Sequence, residues 1–134
     1  MSGKQKFILL ADDDREDLEL LEEAITGLEP ETKIHAVTTG KMVLDYLENK
    51  VNGELPGLIV LDYNMPEMNG AEVLDQICNE VRYEKIPKAI WSTSGTSEYI
   101  KECMEKGANA YFIKPSNNKQ LQQLAQDILD MCTV

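Results

Sequence analysis

Four apolar runs in this chain each end on a polar, reactive side chain. Phe7-Ile8-Leu9-Leu10-Ala11 leads into Asp12-Asp13-Asp14, Leu58-Ile59-Val60-Leu61 into Asp62, Ala89-Ile90-Trp91 into Ser92, and Tyr111-Phe112-Ile113 into Lys114-Pro115. Short continuous apolar runs separated by helix-period segments read as buried strands of a parallel sheet. Parallel strands present their carboxyl ends along one edge, and sheets of this class hold their ligands there. The pattern therefore brings two adjacent carboxylates, a third carboxylate, a hydroxyl and an amine into one crevice from distant parts of the chain.

Between the first two strands, Leu18, Leu21, Ala24, Ile25 and Leu28 recur at helical spacing. Glu16, Asp17, Glu19, Glu22 and Glu23 fill the other side, predicting an amphipathic helix with a solvated acidic face. Gly27 and Pro30 are expected to stop it, and Lys33-Ile34-His35-Ala36-Val37 to form a short strand. Thr39-Gly40 opens a helix through Met42, Val43, Leu44 and Leu47, and the Asn-Gly and Pro-Gly pairs within 49–57 mark an exposed loop. Val73, Leu74, Ile77, Cys78 and Val81 predict the inward side of a third helix, and Ile100, Cys103 and Met104 that of a fourth ending at Gly107. Leu121, Leu124, Ala125, Ile128 and Met131 do the same for a fifth. Five successive βα units with right-handed crossovers give a doubly wound α/β fold, a five-stranded parallel sheet with five helices on its two faces. The chain of 134 residues is too short for an eight-fold barrel and fits one domain over 1–134, its core between about 7 and 132.

The formal net charge of −11 opposes contact with phosphate backbones, so no nucleic-acid partner is expected, and proteins or small cations are. No apolar run approaches the ~20 residues of a membrane-spanning helix, and Met1-Ser2-Gly3-Lys4-Gln5-Lys6 lacks the apolar stretch and cleavage site of a signal peptide. A cytoplasmic protein without membrane attachment is the expectation. Cys78, Cys103 and Cys132 have the spacing of neither a metal knuckle nor a redox pair and read as small core residues.

The turn after the first strand is where a nucleotide-binding domain places glycines, so that phosphate can approach bare backbone. Here it holds three aspartates. They repel a nucleotide phosphate and welcome a hard cation, and a few oxygen ligands suit Mg2+ with retained waters better than a fully caged Ca2+. Asp12, Asp14, Glu16 and Glu23 imitate part of a calcium loop, but Asp17 replaces its turn-forming glycine in a helical segment. Crowding Asp12, Asp13 and Asp62 raises the pKa of some of them unless Mg2+ and Lys114 offset the repulsion. Asp62 can then act as an ionised nucleophile toward a phosphoryl group, with Mg2+ and Lys114 stabilising charge and Ser92 donating a hydrogen bond.

These residues resemble the receiver domain of two-component response regulators, of the stand-alone, chemotaxis-regulator-like kind, from about Phe7 to Cys132. The resemblance rests on the acidic pair, on Asp62-x-x-Met65-Pro66 followed by Gly70, on Ser92, and on Gly107-Ala108-x-x-Tyr111-x-x-Lys114-Pro115. It implies a flavodoxin-like strand order 2-1-3-4-5, which the residue pattern alone does not provide. It also implies Asp62 as phosphoacceptor and Mg2+ held directly by Asp13, Asp62 and the backbone carbonyl of Asn64, with Asp12 acting through water. Lys114 is expected to pair with the phosphoryl group, Lys114-Pro115 to be a cis peptide, and Ser92 and Tyr111 to form the switch. The partner implied is a sensor histidine kinase or a histidine phosphotransfer protein. Serine in place of the commoner threonine keeps the hydroxyl and loses a methyl group, and the segment before the third strand is longer than in the most compact receivers.

Plainer roles suit the neighbours. Asp14 reads as a helix cap, Trp91 as sheet packing, and His35, the only histidine, lies away from the crevice edge and cannot serve as an internal phosphodonor. The chain runs out just after the fifth helix, so the signal is expected to leave by phosphorylation-dependent protein contacts or onward phosphorelay. The face built from the fourth helix, fifth strand and fifth helix is the expected exit. The competing readings are a Mg-dependent aspartyl-phosphate hydrolase, a flavin or nucleotide carrier, and an inactive receiver-like interaction module. The hydrolase needs a second acid where Asn64 stands, and the carrier needs a phosphate-cradling loop after the first strand.

Overall fold

Strand β1 (Phe7–Ala11) lies inside a five-stranded parallel sheet, between β2 (Lys33–Val37) and β3 (Leu58–Asp62). Beyond β3 come β4 (Lys88–Ser92) and β5 (Ala110–Ile113), which completes the order β2-β1-β3-β4-β5. This computed structural model describes residues 5–134, without the side chain of Asn52, so the reading of Met1 to Lys4 as leaderless lies outside the described residues.

The register sets the site. Ala11 pairs with Leu61, so the residues that follow them, Asp12 and Asp62, emerge side by side. Asp62 pairs with Trp91 and Ser92 with Ile113, which places Ser92 and Lys114 one step further along the same edge. Helices α1 (Arg15–Leu28) and α5 (Asn118–Met131) cover one face of the sheet, packing on Ile8, Leu10, Val60, Ala89 and Trp91. Helices α2 (Gly40–Glu48), α3 (Gly70–Cys78) and α4 (Ser97–Glu105) cover the other, over Leu9, Ala11, Ile59, Leu61 and Ile90. Both faces are buried, which is why β1, β3 and β4 read as unbroken apolar runs.

The helices start where polar caps allow. Asp14 caps α1, its carboxylate accepting from Glu16 N at 3.0 Å and Asp17 N at 3.3 Å. Asn69 and Glu72 form a reciprocal capping box on α3, each satisfying the other's free N–H.

Several expectations require correction. Gly27 lies inside α1, and the helix stops at Glu29-Pro30. Helix α3 ends at Cys78, leaving Cys78 exposed and Val81 79 % exposed in a separate 3-10 turn, Val81–Tyr83. Leu28, Met42 and Met104 sit at helix rims in solvent, and Leu129, outside the helical pattern read for the fifth helix, is fully buried. The Lys114-Pro115 peptide is trans, the form favoured by about 0.5–1 kcal/mol for X–Pro bonds. The loop before β3 includes a 3-10 turn, Asn52–Glu54, and is pinned by Gly57 N donating to Phe7 O at 2.8 Å.

Candidate functional site

The turn after β1 folds back on itself. Asp12 N donates to Val37 O at 3.1 Å, and Asp12 Oδ1 accepts from Asp14 N at 2.9 Å. One oxygen of this fully buried carboxylate is thereby fixed, and Oδ2 is turned into the crevice. Asp13 is exposed at the mouth, and ligand oxygens of Asp12, Asp13 and Asp62 lie within 4.8 Å of one another. Asp62 itself is only 3 % exposed. Gly70 makes this depth possible: a Cβ there would stand 2.6 Å from Asp62 O, so only glycine lets the start of α3 close over the end of β3.

Lys114 is the counterion. Its Nζ lies 2.7 Å from Asp12 Oδ2, 2.9 Å from Asp17 Oδ2 and 3.4 Å from Asp62 Oδ1, and 4.7 Å above the Trp91 ring centre. Of the three contacts, the one to Asp17 has hydrogen-bond alignment. The short approach to Asp12 Oδ2 is a charge contact that leaves this buried oxygen without an aligned hydrogen bond.

Electrostatics follow from the burial. Desolvation, and then the Asp12 charge, push the Asp62 carboxyl up to about 7, against the pull of Lys114. Desolvation likewise raises Asp12, opposed by Lys114 and the Asp14 N–H. Burial by itself would lower Lys114, but its contacts with Asp12 and Asp17 and the charge of Asp62 hold it above the ordinary lysine range. Two buried carboxylates whose ionisation is disfavoured, grouped with the Asp13 carboxylate around a single ammonium, form a site with the hard oxygen donors a divalent cation takes.

A family model described as the response regulator receiver domain matches residues 8–126. The chain belongs to that family. Among relatives of this receiver, the two-component response regulator ORR5 of Oryza sativa subsp. japonica is 29 % identical over 127 residues, covering 95 % of this chain and 91 % of its own. The response regulator Rcp1 of Synechocystis sp. is 28 % identical over 130 residues, covering 95 % and 88 %. The phosphorylated cyanobacterial phytochrome response regulator RcpA superposes with a TM-score of 0.86 at 29 % identity, over 97 % of this chain and 98 % of that one. The Mn2+-bound form of Rcp1 gives 0.80 at 28 % identity, over 92 % and 91 %.

The receiver fold brings together Asp12, Asp13, Asp62 and Lys114 as the sequence reading expected. Ser92 is fully buried at the end of β4, its Oγ accepting from Ser94 N at 3.0 Å. The Tyr111 hydroxyl, partly buried, donates to Ser94 O at 2.6 Å. Asn64 is exposed in the loop between β3 and α3, which is turned by Met68 N donating to Pro66 O and by Gly70 N donating to Tyr63 O. His35 stacks on Tyr46 at 4.0 Å, away from the carboxylates.

Two residues escaped the sequence reading. Asp17 belongs to the crevice and not to the solvated face of α1; its place in the first helical turn, five positions after Asp12, was the available signal. Tyr63, next to Asp62, stacks on Tyr99 with ring centres 4.5 Å apart and donates to Glu102 Oε1 at 2.6 Å, tying β3 to α4. Glu102 is therefore anchored and is not a free member of the α4 surface. Among the described residues no helix is long and apolar enough to cross a membrane.

Proposed function

We propose that this receiver takes a phosphoryl group on Asp62 from a histidine of a sensor kinase or phosphotransfer protein, in a Mg2+-dependent reaction, and signals through altered protein contacts. The observation that carries this reading is the Asp62 carboxylate, buried yet lying 3.4 Å from Lys114 Nζ and grouped with the oxygens of Asp12 and Asp13. An Asp62 oxygen attacks phosphorus as the bond to the donor's imidazole nitrogen breaks, yielding an acyl phosphate and a free histidine. Lys114 Nζ offers a donor to the phosphoryl oxygens, and Ser92 Oγ, at the adjacent strand end, offers another.

Asp12, Asp13, Asp62 and the carbonyl of Asn64 are the donors proposed for Mg2+, which when bound supplies positive charge to the equatorial oxygens. The grouping of the Asp12, Asp13 and Asp62 oxygens supports that assignment, as does the Mn2+-bound form of the related Rcp1. Hydrolysis of the acyl phosphate returns the protein to its starting state, and the reading is of a signalling phosphoacceptor whose output is the change in protein contacts. A cytoplasmic location and a single receiver unit over 1–134 complete the proposal.

The test is labelling with acetyl phosphate and Mg2+ followed by mass spectrometry. One added phosphoryl group on Asp62, absent in Asp62→Asn and lost with chelator, is expected. Equal labelling of Asp62→Asn would overturn the assignment.

A further inference from the structure

We propose that Asp17 is the positioning residue for Lys114, an anchor that keeps the ammonium directed at Asp62. This rests on the phosphoacceptor reading of Asp62 and adds a residue that the acidic pair, the Met-Pro turn and the Lys-Pro pair do not include.

Lysine is a flexible stem with three donors and no rigid fork, so it needs partners to fix its direction. Here three carboxylate oxygens surround one Nζ: Asp12 at 2.7 Å, Asp17 at 2.9 Å and Asp62 at 3.4 Å. The aligned hydrogen bond goes to Asp17. The contact to Asp62 is the longest, and it is the one that a phosphoryl oxygen on Asp62 would replace. Such a replacement leaves the Asp17 bond in place.

Asp17 also lies outside the group of Asp12, Asp13 and Asp62 oxygens that could hold a cation, and its link to Asp12 and Asp62 runs through Lys114. The first turn of α1 is rigidly placed by the Asp14 cap, whose carboxylate accepts the Asp17 backbone N–H at 3.3 Å. Below Nζ lies the indole of Trp91, 98 % buried, so the ammonium is held between a ring and a carboxylate. On the other side Asp17, Lys114, Trp91, Leu20 and Leu121 line an open cavity of about 280 Å³ between α1 and α5. Without Asp17, Lys114 has that space to swing into.

A decoy role, in which Asp17 competes with phosphate for Lys114, predicts the opposite sign. The experiment compares wild type with Asp17→Ala and Asp17→Asn, the second keeping an acceptor oxygen of the same reach. In the free protein, the Lys114 ammonium resonance in nitrogen-detected NMR should be sharp in wild type, present in Asp17→Asn and lost in Asp17→Ala. Titration with beryllofluoride and Mg2+, read by the fluorescence of Trp91, the single tryptophan, should weaken roughly tenfold in Asp17→Ala, the scale on which outer partners act on a site. Unchanged or tighter beryllofluoride binding in Asp17→Ala, or an unchanged ammonium signal, would overturn the proposal. If wild type itself binds no beryllofluoride, the phosphoacceptor reading fails, while the ammonium signal still decides whether Asp17 holds Lys114.

Discussion

Ser92 and Tyr111 grip the same residue from two sides: Ser92 Oγ accepts the Ser94 N–H at 3.0 Å, and the Tyr111 hydroxyl donates to the Ser94 carbonyl at 2.6 Å. The two side chains lie on neighbouring strands, and the peptide of the β4–α4 loop joins them. A Ser92 hydroxyl that turns to a phosphoryl oxygen must release the Ser94 N–H, and that loosens the residue on which Tyr111 rests. Ser92→Ala is therefore expected to accept phosphate on Asp62 but to show a smaller beryllofluoride-induced change in amide exchange over residues 92–122. Tyr111→Phe should lose about 1 kcal/mol by urea denaturation, the scale of one hydrogen bond. Identical exchange changes in wild type and Ser92→Ala would exclude this coupling.

Tyr63 offers a second connection to the same face. It directly follows Asp62, and its hydroxyl is bonded to Glu102 while its ring is stacked on Tyr99. Tyr63→Phe keeps the stack and removes a hydrogen bond to a charged acceptor, a loss of about 1.5–3 kcal/mol at most. The expected result is faster amide exchange in Ser97–Glu105 with labelling of Asp62 unchanged.

The acidic crevice costs stability, and the sign can be worked out. Burial and the Asp12 charge raise Asp62 from an ordinary 3.8 to about 7. Between those values the native state binds a proton that the unfolded chain has released, so the stability of the metal-free protein falls as pH rises through this window. Asp62→Asn imitates the neutral carboxyl at every pH. Calorimetry should find variant and wild type alike near pH 4, and the variant higher in Tm by about 3 °C near pH 8, corresponding to ~1 kcal/mol in a domain of this size. Added Mg2+ should raise the Tm of wild type and leave Asp62→Asn nearly unmoved. A wild type that gains stability from pH 4 to 7 relative to Asp62→Asn would contradict the cause assigned here.

Gly70 is a position at the crevice where the backbone does not tolerate a side chain. A Cβ would meet Asp62 O at 2.6 Å and Tyr63 Cα at 3.1 Å, and both are main-chain atoms that cannot rotate away. Gly70→Ala should destabilise the fold by about 1–3 kcal/mol, as overpacking does, and should weaken Mg2+ binding by displacing the end of β3. A chemical denaturation curve with a Mg2+ titration checks both effects.

The strands, the helices and most members of the crevice were legible in the residues because each depends on patterns carried locally. Apolar runs buried on both faces identify β1, β3 and β4, caps such as Asp14 and Asn69 start helices, and a parallel sheet puts every strand end on one edge. Asp12, Asp62, Ser92 and Lys114 could thus be gathered from positions far apart before any distance was known. What only the tertiary structure decided depends on register and side-chain direction between elements distant in sequence. Asp17 reads as one more acid on a solvated helix, yet the angle at which α1 leaves the Asp14 cap turns it onto Lys114, 97 positions away. Cys78 fits an inward helical stripe, yet α3 ends there and leaves it in solvent. Period and composition select which residues are buried; which polar atom meets which is settled by packing of the whole chain, where a shift of one helical turn would exchange the partners of Lys114, Ser94 and Tyr63.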